Sequence, residues 1–350
     1  MDWVDLRSDT VTHPTEAMRQ AMTNAEVGDD VFGEDPTVNK LQEMAAEKMG
    51  KEAGLFVPSG TMGNLAAILA HCGRGDEVIL GNKAHTFLFE AGGISALGGV
   101  HSCQLPNQED GTLLLQDIQA AIRSKDAHQP ISRLVCLENT HNRCGGVALT
   151  ADYTREIGDL ANQRGLFLHL DGARIFNAAV AQGVSAKELA ESADSVTFCL
   201  SKGLSAPVGS VLCGNSEFIT RAHRIRKQLG GGMRQAGILA AAGIIALETM
   251  VKRLAEDHKR AHFLAQGLSF LPWLVLDVGT PHTNMIFMSL ADAFPADAKQ
   301  LAEEMSKLGV RVGVVGKRRF RLVTHYWIDD SAIGKALLAF QEVGAQIEPS

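Results

Sequence analysis

Apolar residues along this chain gather into short strand-like runs, at 53–57, 77–80, 99–104, 134–138, 166–170, 195–200 and 210–213, separated by stretches with helical spacing. Apolar runs of this length, in place of strict alternation, predict strands buried on both faces, the habit of a parallel sheet. Between them, residues 63–71, 115–123, 153–164 and 186–191 repeat apolar positions at intervals of three and four, which predicts helices. The alternation predicts an α/β protein whose large domain is a mainly parallel seven-stranded sheet covered by helices.

After the seventh run the pattern changes. Residues 236–247 are apolar throughout, too short to cross a bilayer and expected as a buried helix. Residues 248–271 follow as an amphipathic helix ended by Pro272. Strands expected at 275–278, 285–290, 311–315 and 320–324, with helices at 296–308 and 331–344, make a small α+β C-terminal domain. The expected organisation is therefore a segment 1–30 packing with the small domain, a large domain 31–247 and the small domain 248–350.

Composition adds exclusions. At 350 residues, 45% hydrophobic and 21% charged, the chain is an ordinary globular sequence. A net charge of −7 argues against nucleic-acid or anionic-membrane partners. Two basic clusters, 221–227 and 317–321, suit small anions or a solvated face. The acidic stretch 26–35 lacks ordered ligand spacing, so a solvated, capped loop is expected and no metal site. Six cysteines without a C-x-x-C pair are expected as buried free thiols. The residues from Met1 to Thr10 hold no apolar core of signal-peptide length, and a cytoplasmic location is expected.

Two strand ends carry the chemistry. Asp171 closes the run 166–170, and Lys202 follows the run 195–200. An amine and a carboxylate on neighbouring strand ends are what pyridoxal phosphate needs: a Schiff-base lysine and a partner for the pyridinium nitrogen. The other reading is a capping Asp and a solvated Lys. Leu55-Phe-Val-Pro-Ser-Gly-Thr runs from strand to helix, and the free N–H groups there make Gly60 and Thr61 phosphate candidates or an ordinary cap. His85 is suited to stack on a flat ring and to act as a base, with Glu90 to orient it. Arg174 is suited to a substrate carboxylate or the cofactor phenolate, or to a structural salt bridge, and Arg321 to clamping an α-carboxylate. Lys227 and Arg234 flank a glycine triplet, a plain loop or a phosphate cover.

Taken together, the chain resembles the threonine aldolase family of fold-type-I pyridoxal-phosphate enzymes over nearly its whole length. The matching stretches are Asp5-Leu-Arg-Ser-Asp-Thr-Val-Thr, Gly28-Asp-Asp-Val-Phe-Gly-Glu-Asp-Pro, Pro58-Ser-Gly-Thr-Met-Gly-Asn, Glu138-Asn-Thr-His-Asn, His169-Leu-Asp-Gly-Ala-Arg, Leu200-Ser-Lys-Gly, Gly230-Gly-Gly-Met-Arg-Gln and Thr283-Asn-Met. The resemblance implies that Lys202 binds the cofactor aldehyde, Asp171 pairs the ring nitrogen and His85 stacks on the ring. It implies that Gly60 and Thr61 hold the phosphate, with Lys227 and Arg234 reaching it from a neighbouring subunit. Ser8, Arg174 and Arg321 then hold the substrate carboxylate, and His128 lies with His85 near the substrate hydroxyl. A homotetramer, a dimer of dimers with shared sites, is implied as well. Phe87 stands where relatives carry Tyr, which puts side-chain preference in question. The implied reaction is reversible cleavage of L-threonine and L-allo-threonine to glycine and acetaldehyde, with other β-hydroxy-α-amino acids accepted. Transamination, β-elimination and a catalytically silent binding protein are the rivals.

Overall fold

The computed structural model describes residues 3–277 and 281–347. Seven strands form one sheet in the order Ala53–Val57, Ser210–Gly214, Ser195–Cys199, Phe167–Asp171, Ile131–Glu138, Asp76–Gly81 and His101–Leu105. Six of them point the same way; Ser210–Gly214 alone is reversed, antiparallel to both of its neighbours. The predicted runs land on these strands within three residues at each end. The Ser195–Cys199 and Ser210–Gly214 strands are buried at every position, which is why they read as solid apolar runs.

Helices cover both faces. Gly60–His71 starts immediately after the first strand, with Ser59 as its cap accepting from the Met62 N–H at 3.2 Å. It lies close to the sheet at Gly63, where an added Cβ would come within 2.6 Å of Thr197 Cγ2. The helix Pro36–Met49 was missed by apolar spacing, yet its ends are signalled: Asp35 caps Thr37 and Val38, Pro36 opens the first turn, and Gly50 closes it. The cap was expected within 26–35; what corrects the solvated-loop expectation is the burial of two of its acids, since only Glu26 and Glu34 are exposed. Asp35 is fully buried, and Asp30 is buried in an ion pair with Arg226 at 2.8 Å, so Arg226 is buried too and not part of a solvated face. All six cysteines are free; five are buried and Cys103 is half-buried.

A second core forms around an antiparallel sheet in the order Gly313–Gly316, Arg319–Val323, Met285–Leu290, Leu274–Leu276, backed by helices Ala298–Lys307 and Asp330–Ile347. Val278, expected to end a strand, lies outside the described residues, as do Met1 and Asp2. The strand expected at 311–315 is split. Val310–Arg311 pairs parallel with Val4–Asp5, and Gly313–Gly316 joins the antiparallel sheet. The N-terminal segment divides between the cores, with Leu6 in the smaller one and Met18 in the larger. Helical residues run from Gly237–Ile245 through a π turn, Ala246–Met250, into Val251–Leu268. One rod thus serves both cores: Leu254 belongs to the larger and Ala261 to the smaller. Among the described residues no helix is long and apolar enough to cross a membrane.

Candidate active site

Ligands of open α/β sheets sit beyond the C-terminal ends of the parallel strands. Here two adjoining cavities open at that edge. One, of about 320 Å³, is lined by Thr12, Gly60, Thr61, Asn64, Asp171 and Cys199; the other, of about 790 Å³, by Ser8, Phe89, Asn142, Arg143, Arg174 and Arg321. Thr10, His85 and Lys202 line both. Lys202 therefore stands on their shared wall, as expected of an amine that meets both a cofactor and a substrate.

The smaller cavity has an anion-seeking end and an acidic end. The first turn of Gly60–His71 presents unpaired N–H groups, and nothing bulkier than glycine fits at position 60: a Cβ would meet Cys199 Sγ at 2.9 Å. At the other end Asp171, 5% exposed, accepts from Asn64 Nδ2 at 2.8 Å and from the Ala173 N–H at 3.1 Å. These two bonds hold the carboxylate in one orientation at the strand end.

His85 begins the short helix His85–Leu88 and is half-exposed. Its backbone N–H donates to Glu138 Oε2 at 2.8 Å, and its Nδ1 lies 2.9 Å from Glu90 Oε1. The hydrogen bond to Glu90 raises the imidazole pKa against the opposing effect of burial. Burial first, and then the Asp171 charge, push the Glu90 carboxyl up. With Nδ1–H committed to Glu90, the free lone pair of His85 is on Nε2. The other oxygen of Glu138 accepts from the Asn142 N–H at 2.8 Å, and Asn142 Oδ1 accepts from Arg321 Nη1 at 2.9 Å. One carboxylate thus ties His85 to the wall that carries Arg321.

Arg321 alternates along its strand with buried Phe320 and Leu322 and faces the larger cavity. Its other hydrogen bond goes to the Arg7 carbonyl at 3.2 Å, its Nε is buried without a partner, and among the described residues it has no carboxylate partner. Burial and the neighbouring Arg174 charge lower its pKa. A half-buried guanidinium with a buried orphan donor is completed by an anion. Arg174 differs. Its Nε and Nη2 grip Asp9 at 2.7 and 2.6 Å, leaving Nη1 for a ligand. Burial opposes ionisation of Asp9, but the Arg174 charge outweighs it and holds that carboxyl well below its usual range.

Four residues named from the sequence, His128, Lys227, Arg234 and Phe87, line neither cavity in the single chain. His128 has a side chain 93% exposed, paired with Asp126 at 2.8 Å, and lines neither cavity, because the turn that carries it precedes the N-terminal end of the Ile131–Glu138 strand. Lys227 and Arg234 also line neither, and Arg234 is paired with Asp29 at 2.9 Å. Phe87 packs on the apolar cluster around Leu65 and Ile94, and it is Phe89 that lines the cleft. Asn64, Glu138, Asn142 and Asp9 were not singled out. Each lies inside a motif quoted above, which was the available signal.

The model of the beta-eliminating lyase family matches residues 5–293. The chain is 50% identical over 97% of its length to a probable low-specificity L-threonine aldolase 2 of Arabidopsis thaliana, covering 97% of that protein. It is 49% identical over 92% of its length to a low specificity L-threonine aldolase of Escherichia coli K12, covering 93% of it. A threonine aldolase structure from Leishmania major superposes with a TM-score of 0.82 at 21% identity, over 97% of this chain and 99% of that one, and shows the same fold. From sequence and fold together, this chain belongs to the beta-eliminating lyase family and groups within it with the threonine aldolases.

Proposed function

We propose that this protein cleaves L-threonine and L-allo-threonine reversibly to glycine and acetaldehyde, using pyridoxal phosphate. The residues present fit that cofactor. A helix N-terminus with room only for Gly60 suits its phosphate, Asp171 suits its ring nitrogen, the half-exposed face of His85 suits its ring, and Lys202 suits its aldehyde. When bound, pyridoxal phosphate supplies an electron-accepting ring conjugated to the substrate nitrogen.

The chain's own groups do the rest. Arg321, helped by Ser8 and Arg174 Nη1, holds the substrate α-carboxylate, and so sets which α-carbon bond lies across the ring. His85 Nε2, its Nδ1–H held by Glu90, takes the β-hydroxyl proton as the Cα–Cβ bond breaks and acetaldehyde leaves. His128 enters this scheme only if another subunit brings it close. The 790 Å³ cleft is far larger than a threonine methyl group needs, which supports tolerance of other β-hydroxy-α-amino acids. Sites shared across a homotetramer are supported by Lys227 and Arg234 lining neither cavity in one chain and by exposed Phe32, Leu88 and Leu97. A role in threonine breakdown and glycine supply, in the cytoplasm, goes with this reading; six free thiols support that location.

The single observation that carries the proposal is Lys202 on the wall common to both cavities. Purified protein with pyridoxal phosphate and either threonine isomer is expected to release acetaldehyde, measured by coupled NADH oxidation, and the Lys202→Ala protein none. A keto acid in place of aldehyde and glycine would overturn the reading in favour of transamination.

A further inference from the structure

Asn64 is the hub of a hydrogen-bond chain that runs through the sheet to the candidate ring-nitrogen partner. Its Nδ2 lies 2.8 Å from Asp171 Oδ2 and 2.9 Å from Glu90 Oε1, and its Oδ1 lies 3.3 Å from His169 Nε2. His169 Nδ1 is 2.9 Å from Ser195 Oγ, which is 2.8 Å from His71 Nε2. Asn64, His169 and Ser195 are all buried.

One arrangement of hydrogens satisfies every contact. A carboxylate only accepts, so the Asn64 amide must turn its NH₂ toward Asp171 and Glu90 and its oxygen toward His169. His169 must then carry its hydrogen on Nε2, and its bare Nδ1 accepts from the Ser195 hydroxyl. The Ser195 oxygen in turn accepts from His71 Nε2–H, which leaves His71 Nδ1 bare, and that atom is indeed buried without a partner. Both rings are neutral in this arrangement, and burial lowers His169 to about 4 and His71 to about 3. Every donor in the chain points toward the two carboxyls.

Those carboxyls need separating. Ligand atoms of His85, Glu90 and Asp171 all lie within 4.8 Å of one another. Two carboxylates this close repel each other, and each is steadied by a donated hydrogen bond. The Asn64 amide puts one N–H on each. If it flipped, its oxygen would face both, acceptor against acceptor.

We propose that Asn64 and His169 are positioning residues: the Asn64 amide, locked in one orientation by His169, keeps Asp171 an unshared carboxylate facing the cofactor ring nitrogen. This rests on the pyridoxal-phosphate reading above. It assigns a task to His169, Ser195 and His71, which touch neither cavity.

The test uses holoenzyme loaded with pyridoxal phosphate labelled with ¹⁵N in the ring. Ring-nitrogen protonation is read by NMR, and cofactor retention by dilution. Asn64→Leu and His169→Leu are expected to move the ring-nitrogen resonance toward the unprotonated position and to weaken cofactor binding about tenfold or more, the scale of one charge-assisted hydrogen bond. His169→Gln, whose amide nitrogen reaches the place of Nε2, is expected to restore both. Variants that lose thermal stability while the ring nitrogen stays protonated and the cofactor stays bound would show a structural role only and overturn the proposal. Should Asn64→Leu not fold, Ser195→Ala frees the His169 tautomer and is expected to shift the resonance part-way; no movement there overturns it equally. Wild-type protein that fails to bind the cofactor would sink the underlying reading instead, a distinct outcome.

Discussion

Arg174 grips Asp9 with two parallel hydrogen bonds, Nε to Oδ2 at 2.7 Å and Nη2 to Oδ1 at 2.6 Å, and both side chains are buried. This pair binds the N-terminal segment into the site. On either side of Asp9, Ser8 and Thr10 line the cleft, and the Thr12 hydroxyl donates to the Lys202 carbonyl at 3.0 Å.

Asp9→Asn is therefore expected to leave a buried guanidinium without its counter-charge, at a cost of about 3–5 kcal/mol. Urea unfolding at neutral pH measures it. The wild-type carboxyl has a depressed pKa in the folded state, so the pair's contribution is complete above the unfolded carboxyl pKa, about 3.9, and is lost as pH falls below it. An unchanged midpoint in Asp9→Asn would remove the pair from the stability of the fold.

Arg321→Leu removes a half-buried guanidinium in the cleft that lacks a carboxylate partner among the described residues. The expected loss in kcat/KM for threonine is about 100-fold, carried mainly by KM, with Arg321→Lys recovering charge but not the planar fork. Steady-state kinetics with both isomers decides it. A kcat effect without a KM effect would move Arg321 from binding to chemistry.

The acidic limb of the rate profile should follow His85. Its hydrogen bond to Glu90 raises the imidazole pKa, so protonation silences the base at a higher pH than an isolated histidine would show. Removing that bond in Glu90→Gln lowers the pKa, keeps the base neutral to lower pH, and is expected to shift the acidic limb of kcat/KM downward. An upward shift would contradict His85 as the base.

Shared sites can be tested by mixing two inactive proteins. Lys202→Ala and Arg234→Ala chains, unfolded and refolded together, place one intact site in each hybrid dimer, and about a quarter of full activity should return in a statistical mixture. No recovery, with hybrids confirmed by mass, would confine each site to one chain.

His258 is buried and lowered to about 4, with Asn177 Nδ2 donating to its Nε2 at 3.1 Å. Between pH 6.5 and about 4 the unfolded chain holds a proton that the folded chain lacks. The stability this provides is complete above 6.5 and lost as pH falls through that window, at about 1.4 kcal/mol per pH unit. His258→Gln is expected to flatten the acid side of the stability profile by that slope, as measured by urea titration at stepped pH.

The sequence by itself determined the strands, because strands buried on both faces must be mainly apolar whatever their partners, and it determined the motifs. Lys202, Asp171, Gly60 and His85 were legible because each stands at a strand end or helix start that local pattern marks. The splitting of the 311–315 strand was not legible: Val312 stands where the chain changes partner from Val4–Asp5 to the antiparallel sheet, and pairing partners are not local information. Nor was the burial of Asp30 and Asp35, whose acidic stretch reads as solvated until Arg226 and the Gly237 N–H are brought to it from some 200 residues away.

Only the tertiary structure decided which polar groups are committed and which are free. Arg174 and Arg321 look alike in sequence, but Asp9 occupies two donors of the first, and among the described residues no carboxylate answers the second. Asn64 reads as one residue of an amphipathic helix, and it becomes a junction because Asp171, Glu90 and His169 converge on it from separate elements. Local pattern reports what a residue buries. Hydrogen bonds between distant segments, each a few ångströms long and directional, decide what it can still do.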